Sequence, residues 1–302
     1  MKTINKRGFL DISFSWIFAF LIGAMILVGA FYGINKFSSL RESQDSAELG
    51  FALKNLLTPL ESGVETTKSI TITLPVLSRI THECATYGNF GEETFSVQQK
   101  VKNKWTNSGV PISFSDKYIF SPEVFEGQKF NIFSKPFYFP FKVANLIYFS
   151  NSKDVYCFVG FSKSAKAELK NLNQNNFEFD SCSENSIKVC IGTINCDIKV
   201  NTNENSVEKN GEKKVYFEGD ALMYAAIFSD RATYECEVKR LMKRSSELSD
   251  IYKEKSLNLL NLGCSPFNGL RNSFSSVESS SDLAFTAQDI KQVENTLGCD
   301  LW

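Results

Sequence analysis

The sequence predicts an α+β protein carried on one N-terminal transmembrane helix, and three observations predict it. A charge-free apolar run spans Ile12 to Ile34. Period-two alternation of apolar and polar residues dominates from about residue 66 to 160 and returns from 177 to 200. Helical spacing then takes over from 220 to 262 and from 287 to 297. The implied organisation is a basic cytoplasmic leader (1–8), a membrane helix (9–35) and an amphipathic stalk (36–62). A mostly antiparallel, β-rich extracytoplasmic domain (63–219) follows, with a helical C-terminal part (220–302) packed on it.

The leader reads MKTINKRG and carries Lys2, Lys6 and Arg7 with no acid. The 23 residues from Ile12 to Ile34 make roughly 34 Å of helix at about 1.5 Å per residue, enough for a hydrocarbon core of roughly 30 Å. Trp16 and Tyr32 fall near the two ends, where interfacial aromatics sit. A cleaved secretory signal has a shorter apolar core of about 7–15 residues, so an uncleaved, single-pass anchor is the expectation. The basic flank places the N-terminus in the cytoplasm and the bulk of the chain outside.

Leu49, Leu53, Leu56, Leu57 and Leu60 continue the helix outward as one apolar stripe, and Pro59 is expected to close it. Such a stalk would dock on its own head or on a neighbouring subunit. Strands follow at Ile70–Leu74, Thr94–Val97 and Lys129–Ile132. Next come NLIYFS and VYCFVGF, which read as a hairpin around NSKD. The aromatic segment Phe130–Phe149 reads as core strands, with a partner-binding face as the alternative. Ser162–Asn173 is a short helix, 202–214 an exposed loop and Lys214–Glu218 a last strand. Asp220 is a candidate N-cap, Gly263 a candidate helix stop and Ala287–Leu297 a final helix.

Lysines and arginines number 33 against 34 acids, a net charge of −1, which gives no global electrostatic case for nucleic acid. Neither GxGxxG, GxxxxGK[ST], HExxH nor GxSxG occurs. The single histidine, His82, reads as a surface or turn residue, the pair Glu92 and Glu93 as solvated surface, and KRLMKR at 239–244 as a solvated basic face. No catalytic, cofactor-binding or metal-ligating residue is assigned. A carboxylate pair distant in sequence stays open as a hydrolase alternative. No Asn-x-Ser/Thr acceptor is present.

Eight cysteines, Cys84, Cys157, Cys182, Cys190, Cys196, Cys236, Cys264 and Cys299, all follow the anchor. An even number on the exported side points to disulfides; reduced, buried cysteines are the alternative. There is no CxxC, and one histidine is too few for an ordinary zinc cluster. Pairing is open, with local bridges Cys190–Cys196, flanking a turn between two strands, and Cys264–Cys299, tying down the C-terminus, as the first choices.

Lys6-Arg7-Gly8 followed by Phe9 and a long apolar helix resembles the class III signal peptide of archaeal type IV pilin-like proteins. The resemblance covers about the first 35 residues and implies a cut between Gly8 and Phe9, with the helix retained for assembly. It departs from the bacterial pattern, because Ser13 stands where an acid is usual and the nearest acid is Asp11. The remainder resembles uncharacterised membrane-anchored archaeal surface proteins. The expectation is therefore a structural, adhesive or pilin-like surface protein without a cofactor. Its partners would be the lipid bilayer and, through the N-terminal helix, itself or other envelope proteins.

Overall fold

In the computed structural model, residues 14–61, 68–192 and 196–302 are described. The processing positions Gly8 and Phe9 lie outside them. Helix α1 (Phe14–Glu61) is continuous over 48 residues, about 72 Å at about 1.5 Å per residue. Its Trp16–Ile34 segment has mean hydropathy 2.4 and none of it is buried in the protein. This is one helix long and apolar enough to cross a membrane.

The C-terminal end of α1 docks on the chain's own head. Leu53, Leu57 and Leu60 are buried among Phe95, Phe114, Phe130 and Ile147. Leu56 turns outward, and the side chain of Leu49 is outside the described residues. Gly50 shares the docked face, where a Cβ would stand 1.9 Å from Ile112 Cδ1. The helix runs through Pro59 to Glu61 instead of stopping before it. A proline forfeits one backbone N–H and crowds the preceding turn, but only two residues follow it here and buried Leu57 and Leu60 hold that turn in place.

The first sheet contains β1 (Lys68–Ala85), β2 (Glu92–Val101), β3 (Lys104–Trp105), β4 (Ile112–Phe114), β5 (Tyr118–Phe120), β6 (Val124–Tyr138) and β7 (Lys142–Asn151), in the order β3-β2-β1-β6-β7-β5 with β4 also on β2. Both faces of its centre are covered. Ile119, Ile132, Ile147 and Phe149 face the stalk side, while Tyr118, Phe120, Phe133 and Tyr148 face the C-terminal helices. Two-sided burial explains why Phe130–Phe149 reads as near-continuous apolar sequence, and it identifies that segment as core.

The second sheet contains β8 (Tyr156–Val159), β9 (Phe177–Phe179), β10 (Ile187–Ile191), β11 (Ile198–Asn201), β12 (Ser206–Lys209) and β13 (Val215–Tyr216), in the order β13-β12-β11-β10-β8-β9. Here the expectation of mostly antiparallel strands fails. β9, β8, β10 and β11 are parallel neighbours, and β5 is parallel to β7. Helix α2 (Lys163–Asn171), capped by Ser162 accepting from Ala165 N at 3.2 Å, carries the chain from β8 to β9, and such a crossover returns a strand parallel. The NSKD turn is not a hairpin but the passage between sheets, since β7 pairs with β5 and β6 whereas β8 pairs with β9 and β10. The strands flanking Cys190 and Cys196 likewise pair parallel. The segment 202–214, expected as loop, contributes β12.

The mostly helical stretch expected after 220 is two helices, α3 (Gly219–Phe228) and α4 (Arg231–Asn258). The cap of α3 is Glu218, not Asp220. Every residue from Ala221 to Phe228 is buried, which makes α3 the central element of the larger core. Asp230 separates the two helices and caps α4, accepting from Thr233 N at 2.8 Å and, through its other oxygen, from Glu123 N at 2.6 Å. Short α5 (Arg271–Ser275) and then α6 (Leu283–Leu297) close the fold.

All eight cysteines are paired: Cys84–Cys236, Cys157–Cys182, Cys190–Cys196 and Cys264–Cys299. Cys190–Cys196 and Cys264–Cys299 are the pairs the sequence suggested; Cys157–Cys182, 25 residues apart, and Cys84–Cys236, 152 apart, are pairings the sequence left open.

Candidate functional site

The most unusual chemistry in the head is a sealed polar cluster where β1, β2 and α4 meet. In the β1–β2 ladder His82 lies opposite Phe95 and Cys84 opposite Glu93. Alternation puts His82 and Cys84 on one face, together with Glu93 and Phe95 from β2. Helix α4 lies across that face and delivers Glu237 and Arg240, one turn apart. The Cys84–Cys236 bridge pins the helix to the strands beside them. His82, Glu93, Glu237 and Arg240 are each at most 1% exposed.

Arg240 organises the cluster. Its Nη1 donates to both oxygens of Glu237 at 2.8 Å and stands 3.7 Å from Glu93 Oε2. It also donates to three backbone carbonyls: Nε to Phe90, Nη1 to Lys117 and Nη2 to Phe114, at 3.2, 3.1 and 3.5 Å. Its guanidinium carbon lies 4.9 Å from the Tyr118 ring centre. Gly91 makes room for it. With φ +66° it adopts a left-handed conformation, and a Cβ there would meet Arg240 Cγ at 2.8 Å.

Hydrogen-bond accounting fixes the histidine. Ser121 Oγ donates to Pro122 O at 3.0 Å, so its lone pair accepts from His82 Nδ1 at 2.9 Å. Nε2 is then the unprotonated nitrogen, and it faces Glu93 Oε2 at 3.1 Å. That contact requires a proton on Glu93. Burial supplies the reason, pushing Glu93 up to about 8 against the pull of Arg240. Burial first, and then Glu93 whenever it ionises, also raise Glu237, again opposed by Arg240. Burial lowers His82 to about 4, so it is neutral. Glu93 Oε1 receives no hydrogen bond.

This arrangement overturns three sequence expectations. His82 is a core residue, not a surface one. Glu93 is buried although its neighbour Glu92 stays near the surface, where it accepts from Tyr87 Oη at 2.7 Å. The KRLMKR stretch is docked, not solvated: Arg240 is enclosed and Lys243 Nζ donates to Thr86 O and Gly88 O. The sequence did hold one usable signal. Phe95 and Val97 mark the inward register of β2, and stepping back two residues lands on Glu93. Glu237 had no comparable marker. Beside the cluster a cleft of about 230 Å³ opens over His82, Glu83, Cys84, Glu123, Ala232 and Thr233.

Protonation of this cluster sets a pH dependence. A carboxyl whose folded pKa is about 8 keeps a proton that the unfolded chain releases above about 4.5, so its contribution to stability is lost as pH rises between those values. His82, neutral in the fold, opposes folding as pH falls from 6.5 toward about 4. The two effects offset one another below 6.5. Above it Glu93 accounts for about 1.4 kcal/mol per pH unit for its one proton, and buried Glu237, also raised, acts in the same direction. Chelator-treated protein is therefore expected to lose about 2 kcal/mol between pH 6.5 and 8, and Glu93→Gln to flatten that slope. Denaturation midpoints across the range measure it, and equal slopes in the two proteins would refute it.

Comparison with family models, with curated proteins and with solved structures gives no match for this chain. The fold is an α+β head with mixed sheets and paired cysteines, carried on one long, N-terminally apolar helix.

Proposed function

We propose that the chain is a single-pass membrane protein that displays a disulfide-bonded head outside the cytoplasm in a structural, adhesive or assembly role. The observation that carries this reading is the continuity of α1. One unbroken helix presents unburied apolar side chains over Trp16–Ile34 and, some twenty residues later, buries Leu53, Leu57 and Leu60 in the head. Such a link transmits position and orientation from a bilayer to the head. Four paired cysteine sets, with no free thiol, fit an oxidising compartment. The convergence of Glu93 and Glu237 is the feature that would favour a tethered hydrolase. However, both acids are sealed from solvent, so no substrate bond reaches them in this arrangement.

Full-length protein is expected to stay in the membrane pellet after an alkaline carbonate wash, to be cleaved in the head by protease added to intact cells, and to resist rapid alkylation. Recovery in the soluble fraction at full mass, or eight alkylated thiols, would overturn the reading. The intact mass also decides processing: a chain beginning at Phe9 supports pilin-type assembly, and one beginning at Met1 removes it.

A further inference from the structure

We propose that His82, Glu93 and Glu237 form a binding site for a divalent transition-metal ion of the zinc class, entered from the cleft over His82. One ligand atom from each residue lies within 4.8 Å of the others. Around tetrahedral zinc, with bonds of about 2.1 Å, donors stand about 3.4 Å apart, so small rotations of two carboxylate side chains close the set. One imidazole and two carboxylates suit zinc or cobalt, whereas magnesium and calcium prefer six or more oxygens.

The orientation of His82 supports the assignment. Ser121 holds Nδ1, which leaves the Nε2 lone pair pointing at the carboxylates, and metal-bound histidines are oriented by a second partner in this way. A second feature is Glu93 Oε1, a wholly buried oxygen that no amide, guanidinium or hydroxyl donor reaches, in a carboxyl whose side-chain hydrogen-bond partner is the other acid, Glu237. A buried acceptor left open is costly, and a cation would satisfy it. Arg240 is compatible with such an ion. It occupies one lone pair on each Glu237 oxygen and leaves the second free. Its own charge is shared by the carbonyls of Phe90, Lys117 and Phe114. The two carboxylates together balance a divalent ion. Three protein ligands leave a fourth position for water, and the cleft lined by His82 is the solvent space that borders the sealed cluster.

The test uses the full-length, disulfide-intact protein in detergent, stripped with chelator and then dialysed. Titration with Co²⁺ is expected to give a visible d–d band that saturates at one equivalent per chain and is bleached by Zn²⁺. Calorimetry with Zn²⁺ should show the same stoichiometry. Ser121→Ala, a small change that frees the imidazole, should weaken Zn²⁺ binding about 10-fold or more, and His82→Gln should abolish the band in a protein whose circular dichroism matches wild type. The wild-type titration decides even where a variant does not fold. Absence of saturable Co²⁺ and Zn²⁺ binding overturns the proposal, as does binding left unchanged by both His82→Gln and Ser121→Ala. Membrane attachment is read in neither arm, so failure here is distinguishable from failure of the anchored-head reading.

Discussion

Replacing Arg240 with methionine is expected to destabilise the head by about 3–5 kcal/mol, the range for removing one member of a buried ion pair. Methionine matches the stem of arginine, so packing against Tyr118 changes little and the loss is electrostatic. Glu237 loses a donor to both oxygens, and Glu93 loses the cation 3.7 Å away. The carbonyls of Phe90, Lys117 and Phe114 lose their side-chain donor. Each buried acceptor left open costs about 1–3 kcal/mol. Protonation of Glu237 limits the total, because a neutral carboxyl is far cheaper to bury than a carboxylate. A second substitution separates the charge from the geometry. Adding Glu237→Leu to Arg240→Met removes the stranded acid, and the double variant should recover part of the loss, as apolar replacement of whole buried pairs does. Denaturant midpoints of the wild type, both single variants and the double give the coupling directly. An Arg240→Met protein within about 1 kcal/mol of wild type, the range of an exposed ion pair, would show that the cluster is open to water.

The parts of this fold that were legible in the sequence are those decided by near neighbours. The long apolar helix follows from a charge-free run, the core strands from the dense apolar sequence of Phe130–Phe149, and the bridges Cys190–Cys196 and Cys264–Cys299 from a turn between two strands and from a C-terminal segment bracketed by its two cysteines. The missed parts depend on distant partners. NLIYFS and VYCFVGF are both strands, but whether two adjacent strands pair depends on which sheet offers an open edge, and β10 and β5 claimed β8 and β7. The candidate site was missed for the same reason. A lone histidine and an acid pair look solvated until α4, some 140 residues downstream of Glu93, brings an arginine to cover them. Charges are buried only with partners, and partners far apart in sequence leave no local pattern. The single inward clue, Glu93 in register with Phe95, required trusting alternation over the usual reading of a glutamate.

The Cys84–Cys236 bridge has the largest expected effect among the disulfides. It spans 152 residues, whereas Cys190–Cys196 spans 6. In the chain-entropy account a cross-link stabilises by restricting the unfolded chain, and the gain grows with the logarithm of the loop. That relation gives about 5 kcal/mol for the long bridge and about 2 kcal/mol for the short one. Alanine at both Cys84 and Cys236 should therefore lower stability by about 3 kcal/mol more than alanine at both Cys190 and Cys196. Equal losses, or the reverse order, would mean that residual structure in the unfolded chain or local packing outweighs loop entropy. The long bridge also has a local consequence that the short one lacks. Cys236 immediately precedes Glu237, and with the bridge gone α4 is held at this point by Arg240 and by Lys243 on Thr86 and Gly88. Any loosening there admits water to Glu93 and Glu237 and relieves the desolvation that raises them. The stability slope between pH 6.5 and 8 should then shrink in the Cys84/Cys236 variant and persist in the Cys190/Cys196 variant. The entropic cost and the lost pH slope are separable readouts, and together they distinguish a bridge that only shortens the unfolded chain from one that also keeps the cluster dry.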